Sequence, residues 1–282
     1  SVIAMASEAA SHTRVLTLRG RTEADRAVTL QAEVAGLVEG DPPRRGTIVQ
    51  AGDVICRLSA GERPAELAEA RAGLIEAEAE VEAAERLVER GFTSQTETLK
   101  RRAALESARA RLMRAELAME RLEIVAPFDG ILEDDAAERG TLLQPGGHCA
   151  TIIAIDPVVL VGYAPEREVD ALSVGQTATG RLVTGRALQG EVRHVARTAD
   201  PDTRTFRVEI AVPNPDLAIR EGMTAEMEVA LDAVEAHRLP QSALTLNREG
   251  AMGVRVAEDG IARFYPVTVI DDAADGMWVT GL

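Results

Sequence analysis

The stretch AEVAGLVEGDPPRRGTIVQAG, residues 32–52, has a counterpart in APFDGILEDDAAERGTLLQPG, residues 126–146. Aligned without gaps at an offset of 94 residues, nine of the 21 columns are identical, which indicates an internal repeat. Short apolar runs such as Leu37-Val38 and Ile48-Val49 alternate with glycines, as in short strands joined by tight turns. The repeat therefore predicts two β half-motifs of three or four strands each.

Neither half-motif is large enough to fold alone, because a few short strands leave one apolar face in water. We therefore expect the two copies to pack on each other as a small sandwich with pseudo-twofold symmetry. Tight turns often need a positive φ angle, which glycine adopts without steric cost. The turn glycines of the predicted sandwich are Gly36, Gly46, Gly52, Gly130, Gly140 and Gly146.

The segment between the two copies, residues 61–123, has a helical composition. Apolar residues recur every seven positions in two rows, which is the seam of an antiparallel helix pair. Residues 62–90 carry nine Glu against four Arg, whereas residues 94–122 carry seven Arg and Lys against four Glu. Opposite charges favour pairing of the two arms, so we predict an α-helical hairpin. Its seam consists of Leu67, Ala70, Leu74, Ala77, Val81, Ala84 and Val88, followed by Leu105, Ala108, Leu112, Ala115, Met119 and Leu122.

The helical pattern breaks at residues 91–94, Gly-Phe-Thr-Ser, which predicts the tip of the hairpin. Ser94 followed by Glu97 has the form of a capping box, so the second helix should begin there. Phe92 is the only aromatic residue of the hairpin, and two interpretations stay open: packing over the last helical turn, or contact with a partner. The tip residues that we single out are Arg86, Leu87, Arg90, Gly91, Phe92 and Ser94.

From about residue 156 the alternation of strands returns. One short helix is expected at residues 166–172, and residues 14–18 near the N-terminus should form a partner strand. After Pro240 a small terminal β-unit follows. The candidate strands are 158–161, 190–195, 205–212 and 223–231, then 253–256, 264–270 and 277–280.

Composition and charge limit the possible functions. A net charge of −15 and 2% aromatic residues disfavour nucleic-acid binding, which uses basic surfaces and aromatic stacking. No window approaches the ~18 to 20 apolar residues of a membrane span. The sequence begins at Ser1 without an initiator methionine, so removal of an anchor or signal peptide is an expectation.

The two cysteines, Cys56 and Cys149, are too few for a disulfide scaffold and lack metal-type spacing. In the repeat alignment Cys149 falls on Ile55, a core position, whereas Cys56 lies one residue further. In a regular strand Cys56 should therefore point to the opposite face. We expect two core or near-core thiols that are not bonded to each other.

Residues that could carry catalysis or bind a metal are dispersed. The four histidines, His12, His148, His194 and His237, form no pair at a ligand spacing and no triad. The seven methionines are not clustered as soft-metal binding requires. We therefore expect no catalytic residue, no metal and no cofactor.

Three further stretches follow the half-motifs at 36–58 and 124–152, and their order along the chain is what matters. They are Asp-Pro-Asp-Thr-Arg-Thr-Phe at 200–206, Arg-Glu-Gly-Met at 220–223 and Leu-Pro-Gln-Ser-Ala-Leu at 239–244. In this order they resemble the periplasmic adaptors, or membrane fusion proteins of the HlyD type, that serve RND multidrug efflux pumps. The resemblance covers nearly the whole chain, and its barrel motif is Thr203, Arg204 and Thr205.

The resemblance implies a mostly β, elongated protein with an inserted helical hairpin. A lipoyl-like domain, or barrel-sandwich hybrid, is split by the antiparallel coiled-coil hairpin and joined by a β-barrel and a membrane-proximal β domain. The implied bounds are 1–27 and 237–282 for the membrane-proximal domain, 28–60 and 124–155 for the lipoyl-like domain, 61–123 for the hairpin and 156–236 for the barrel.

The resemblance also implies partners. Such adaptors are non-enzymatic, periplasmic and hexameric, and they bridge an inner-membrane RND transporter and an outer-membrane channel. They associate with the inner membrane through an N-terminal anchor or through the transporter. At the tip that meets the channel, the family has an Arg, three residues, a Leu, six residues and a Ser. Leu87 and Ser94 fit, but Ala83 stands at the Arg position, where Arg86 or Arg90 could substitute.

Two alternatives remain. Within the same architecture, the chain could be an adaptor of an ABC-type exporter or a type I secretion system, although those helical regions are generally longer. From another class, a biotinyl or lipoyl carrier has the same sandwich with a modifiable lysine on the turn between the halves. Lys100 is the only lysine, and it lies in the second hairpin arm, which disfavours a carrier.

Overall fold

The computed structural model describes residues 4–92, 94–258, 260–273 and 276–282. Thr93, which belongs to the predicted tip break, lies outside the described residues. The chain divides into two compact units, residues 24–155 and residues 1–23 with 156–282. Strands dominate, and the long helices form one hairpin, so the predicted fold class is confirmed.

The elements that precede residue 155 include the N-terminal strand, the two half-motifs and the hairpin. In chain order they are β1 (Ala9–Glu23), β2 (Arg26–Gln31), β3 (Gly36–Glu39), β4 (Ile48–Val49), β5 (Val54–Leu58), α1 (Arg63–Glu89), α2 (Gln95–Glu120), β6 (Glu123–Val125), β7 (Gly130–Leu132), β8 (Leu142–Leu143) and β9 (His148–Ala154).

The elements after residue 155 are strands, apart from one short helix that covers only the beginning of the predicted one. They are β10 (Val158–Pro165), α3 (Glu166–Val169), β11 (Thr177–Leu182), β12 (Ala187–Val195), β13 (Thr205–Val212), β14 (Thr224–Leu239), β15 (Leu244–Leu246), β16 (Met252–Glu258), β17 (Ile261–Pro266), β18 (Thr268–Ala273) and β19 (Gly276–Thr280).

The unit of residues 24–155 is a sandwich of two four-stranded sheets, ordered β6-β5-β3-β8 and β2-β9-β7-β4. The offset of 94 residues maps β3, β4 and β5 onto β7, β8 and β9. The same offset places β6 at the position of β2. Each sheet therefore combines two strands of one copy with two of the other, β6 and β8 in the first sheet and β2 and β4 in the second. This exchange gives the pseudo-twofold symmetry that the repeat predicts, and it buries the apolar faces of both copies in one core.

The hairpin leaves the sandwich from the neighbouring strands β5 and β6, where Arg57 is paired with Glu123. Its helices have 27 and 26 residues and pack through the predicted seam, with Ala77, Val81 and Ala108 buried. Glu80 and Arg101 join the arms at 3.0 Å; the other ion pairs between the arms are Glu85 with Arg102 and Arg71 with Glu116. The opposite charges of the two arms thus form ion pairs between the helices, as the sequence predicts.

In the other unit, six strands close into a barrel in the order β1-β10-β13-β12-β11-β14, because β14 pairs with β1 as well as with β11. Alternate side chains of these strands point inward and fill the barrel. Leu18, Val158, Ile210 and Met227 are almost completely buried there. Residues 14–18, predicted as a partner strand, lie within β1.

The long strands β1 and β14 run on beyond the barrel as a two-stranded ladder, in which Ala9 is paired with His237 and Thr13 with Ala233. The end of β14 pairs with β19, and β19 pairs with β18. A separate antiparallel sheet has the order β15-β16-β17. The terminal β-unit expected after Pro240 therefore grows out of the same long strands that close the barrel.

One sequence prediction is wrong: Cys56 and Cys149 form a disulfide, which joins β5 of one sheet to β9 of the other. The pairing of β5 with β6 shifts between Val54 and Cys56, so Ile55 is the extra residue of a β-bulge. The bulge interrupts the regular alternation of faces. As a result Ile55 and Cys56 both point into the core, with 2% and 0% exposure.

The equivalent bulge lies in β9. Its pairing with β2 shifts between Leu30 and Gln31, whose partners are Ala150 and His148, so Cys149 is the extra residue. Cys149 and Ala150 are again both buried. The two bulges occupy equivalent positions of the repeat and bring the cysteines together in the core.

Candidate functional site

The hairpin tip begins with a defined helix ending. Arg90 caps α1, and Gly91 follows with a φ of 75°. The amide of Phe92 donates to the carbonyl of Leu87 at 2.9 Å, and the amide of Gly91 donates to the carbonyl of Val88 at 2.9 Å. This pair of bonds is a Schellman motif, in which glycine supplies the left-handed conformation. The backbone at the tip is therefore fixed by hydrogen bonds.

Phe92 lies in solvent at this ending, with 78% of its surface exposed. Leu87, on which a residue at this position often packs, is itself 45% exposed. Packing over the last helical turn therefore covers little of the Phe92 ring. The tip presents two large apolar side chains that are open to a partner.

The second helix starts as the capping pattern predicts. The Ser94 hydroxyl accepts a hydrogen bond from the amide of Glu97 at 3.3 Å. The carboxylate of Glu97 accepts from the Arg101 guanidinium at 3.0 Å and pairs with Lys100 at 3.8 Å. Lys100 is thus a hairpin residue near the tip, away from the turns of the sandwich.

The basic residues of the tip differ in their contacts. Arg86 donates to the carboxylate of Glu82 at 2.9 Å, one helical turn away. Arg90 is exposed and makes no ion pair with any residue that the structure describes. Ala83, which stands where the family has an arginine, is exposed on α1. Of the two possible substitutes, Arg90 is therefore the one whose guanidinium is unengaged.

The six predicted turn glycines fall into two groups. Four lie in turns with φ between 80° and 91°, and a Cβ atom there would meet open space. These four require glycine for its backbone conformation. They are Gly46, Gly52, Gly140 and Gly146.

The remaining pair, Gly36 and Gly130, begins β3 and β7 and is needed for close packing instead. A Cβ on Gly36 would lie 2.9 Å from Cβ of Leu58, and one on Gly130 would lie 2.5 Å from the carbonyl oxygen of Ile153. The repeat thus preserves two different uses of glycine at equivalent positions.

The barrel motif lies at the end of the loop between β12 and β13. One carboxylate oxygen of Asp200 accepts hydrogen bonds from the amides of Asp202 and Thr203 and from the Thr203 hydroxyl, at 2.9 to 3.1 Å. These bonds, led by the amide of Thr203, lower the pKa of Asp200. The Thr203 and Thr205 hydroxyls lie 2.8 Å apart, and Arg204 between them is exposed.

An ion-pair network on the barrel has no signal in the sequence. Arg207 on β13 donates to Glu23 on β1 at 2.6 Å and to Glu209 at 2.9 Å, and Arg193 on β12 donates to Glu209 at 3.0 Å. The hydrogen bond from Arg207 lowers the pKa of Glu23. Its members are distant in sequence, so only the pairing of the strands brings them together.

The described part of the chain contains neither a metal-binding cluster nor a helix that could span a membrane. Within residues 4–92, 94–258, 260–273 and 276–282, no three His, Cys, Asp or Glu side chains are grouped so that they could hold a metal ion. None of the helices in these ranges is long and apolar enough to cross a membrane.

The chain is similar to a known family of barrel domains and to several proteins of known function. Residues 157–233 match the family described as "CusB-like, beta-barrel domain". The nodulation protein NolF of Rhizobium meliloti (strain 1021) is 28% identical over 259 residues, covering 86% of this chain and 70% of NolF. The efflux pump periplasmic linker BepD of Brucella suis biovar 1 (strain 1330) is 26% identical, covering 88% of this chain and 71% of BepD. The cobalt-zinc-cadmium resistance protein CzcB of Cupriavidus metallidurans is 23% identical, covering 88% of this chain but 51% of CzcB.

Among solved structures, the crystal structure of a MacA-MexA chimeric protein containing the Pseudomonas aeruginosa MexA α-hairpin domain has the same fold. The TM-score is 0.77, with 96% of this chain and 93% of the chimera covered, at 18% sequence identity. The likeness therefore concerns the fold of the chain, including its hairpin.

The split sandwich with its hairpin, the barrel and these relatives support one class, the periplasmic adaptors or membrane fusion proteins. More particularly, they support the role of an adaptor of RND-type efflux pumps, as the resemblance to that family predicts. Adaptors of this kind are periplasmic, and this class implies a role without catalysis.

Proposed function

We propose that this adaptor bridges an inner-membrane RND transporter and an outer-membrane channel, and that it transmits and seals without catalysing a reaction. The hairpin is the observation that carries the proposal. Helices of 27 and 26 residues correspond to about 40 Å at 1.5 Å per residue. They end in the exposed side chains of Phe92 and Leu87, which are suited to contact with another protein.

In this proposal, six copies form a ring through their lipoyl-like domains, and the hairpins assemble into a tube whose tips meet the channel. The barrel and the membrane-proximal strands contact the transporter. The adaptor is held at the inner membrane by the transporter or by an N-terminal anchor. The transporter, rather than the adaptor, selects the exported compounds. The resemblance and the efflux-linker relatives support this arrangement.

A hairpin deletion tests the proposal. Because Arg57 and Glu123 are paired neighbours, residues 61–120 can be replaced by an Asn-Gly turn that keeps the buried Leu122. We expect a folded protein that retains its disulfide but no longer restores efflux to a strain lacking the adaptor. Full restoration of resistance by this shortened chain would overturn the proposal.

Substitution of Phe92 tests contact at the tip. Phe92→Asp should reduce recovery of the outer-membrane channel with the adaptor from cross-linked cells, because it places a charge in an apolar contact. Its melting temperature should equal that of the wild type, since the ring is exposed. Val183→Asp is the matched control, because Val183 is also 78% exposed but lies on the barrel. Equal loss of channel recovery by both variants would contradict a specific role of the tip.

A further inference from the structure

The loop of residues 196–204, between β12 and β13, holds an arginine in a conformation that arginine seldom adopts. Arg204 has a φ of 55°, in the left-handed region where glycine is the least strained residue. The amide of Arg204 donates to the carbonyl of Asp200 at 2.9 Å, and the amide of Asp200 donates to the carbonyl of Thr205 at 2.9 Å. The loop therefore imposes this conformation, and glycine would satisfy its backbone better than arginine does.

The side chain of Arg204 contributes no polar contact to the loop. The turn is held by Asp200, one of whose carboxylate oxygens accepts three hydrogen bonds from within the loop. Arg204 is exposed and makes no ion pair or side-chain hydrogen bond with any residue in the described ranges. A strained residue whose side chain does not stabilise the fold points to a role outside it.

The neighbouring charges sharpen this contrast. The flanking Arg193 and Arg207 are engaged by Glu209 and Glu23 on the barrel. Arg197, in the same loop as Arg204, is exposed and likewise makes no ion pair with the part of the chain that is described. The loop thus offers two unengaged guanidiniums on a chain whose net charge is −15. Asp202 is the loop's remaining exposed carboxylate.

Strand pairing locates the loop at one end of the barrel. Thr205, which follows the loop, is paired with Pro165, and Gly162 on the same strand is paired with Gly20. Because β1 and β10 are antiparallel, the Pro165 end of β10 lies beside the part of β1 that precedes Gly20. The loop lies at the end of the barrel from which β1 and β14 run on to β19, which is the transporter side in the proposed function.

We propose that Arg204, together with Arg197, binds a carboxylate of the RND transporter. This inference rests on the proposed function and names the chemistry of one contact within it. A guanidinium offers two parallel N–H groups that match the two oxygens of a carboxylate, and a fixed backbone aims them. An anionic membrane is less suited, because attraction to lipid headgroups uses clusters of about four to eight basic residues and this loop has two.

Three variants test the proposal in the strain that lacks the adaptor, with ethidium, deoxycholate, Zn²⁺ and Co²⁺ as efflux probes. Arg204→Gly removes the side chain and relieves the backbone. We expect at least a fourfold loss of the resistance that the wild type restores, with an unchanged or higher melting temperature of the purified protein. Arg204→Lys keeps the charge but loses the fork, and it should recover less than half of that resistance. Arg44→Ala, at an exposed arginine of the lipoyl-like domain, is the control and should match the wild type.

The outcomes separate the inference from the function on which it rests. If the wild-type chain restores no resistance, the proposed function fails, and this inference fails with it. If the wild type restores resistance and Arg204→Gly does so equally, the inference alone is overturned. A benzoylphenylalanine at position 204 should cross-link to the transporter in cells. Cross-linking only to a second copy of the chain, or only to lipid, would also overturn it.

Discussion

The disulfide between Cys56 and Cys149 allows a prediction whose size follows from the structure. The bond closes a loop of 93 residues that contains the entire hairpin. In the unfolded chain, closure of a loop near this length removes conformational entropy worth about 4.7 kcal/mol at 25 °C. Both cysteines are completely buried in the core. The oxidised lipoyl-like unit should therefore be more stable than the reduced one by about this amount.

The two compact units carry separate spectroscopic reporters, so the effect can be assigned. Helices α1 and α2 lie in residues 24–155, and ellipticity at 222 nm reports mainly on that unit. Trp278, the only tryptophan, lies in the other unit, which contains the four-residue helix α3. Urea unfolding of the full chain, with and without dithiothreitol, can therefore be followed by both signals at once.

With a urea dependence of roughly 2 kcal/mol per molar, reduction should lower the ellipticity midpoint by about 2 M. The Trp278 fluorescence midpoint should stay in place, which makes the barrel unit an internal control. Cys56→Ala with Cys149→Ala should abolish the response to dithiothreitol. An ellipticity midpoint that shifts by less than about 0.5 M would refute stabilisation of this unit by loop closure. An equal shift of both midpoints would refute the claim that the stabilisation is confined to this unit.

Three further predictions test the repeat and the barrel. By pseudo-twofold symmetry, Ile55 is the counterpart of Cys149 and Ala150 is the counterpart of Cys56. The double variant Ile55→Cys, Ala150→Cys should therefore form a second disulfide. Its formation would be measured as the loss of two thiols on air oxidation. Gly130→Ala should lower the stability of the sandwich by about 1 to 3 kcal/mol in urea unfolding, because the new Cβ would lie 2.5 Å from a carbonyl oxygen of β9. Arg207 lowers the pKa of Glu23, so the stabilisation is present above the ordinary carboxyl pKa near 4.5 and is lost as the pH falls through the lowered value. Glu23→Gln should therefore reduce the barrel's melting temperature at about pH 7, and its difference from the wild type should shrink as the pH is lowered below 4.5.

The sandwich and the hairpin could be predicted because each depends on a pattern that survives in the sequence. The offset of 94 residues keeps the spacing of strands and turns, as Gly46 and Gly140 show, and the seven-residue rows identify the buried side of both helices. Where a residue type has two possible structural roles, the sequence alone does not distinguish between them. It predicted Gly36 and Gly130 as turn residues, although their strands need the small side chain for close packing.

The disulfide was missed because a regular strand alternates its faces and a bulged strand does not. The same alignment contained a usable signal. Ile55 and Cys149 align, and Cys56 aligns with Ala150, so each copy has two consecutive small or apolar residues at one position of an otherwise alternating strand. Two neighbouring residues that both suit the core indicate a bulge, and a cysteine on each copy then places the two sulfurs within the same core.

The barrel loop shows a different limit. Residues 203–205 were recognised as a motif, but the sequence alone does not say that Arg204 has a positive φ. That angle accompanies hydrogen bonds between Asp200 and the residues that close the loop, in a turn that joins the paired strands β12 and β13. A glycine at this position would have predicted a turn with a positive φ from the sequence alone. Because an arginine stands there instead, the turn escaped prediction. An exposed arginine in a strained conformation, without a polar side-chain contact in the described ranges, is what indicates a contact outside the fold.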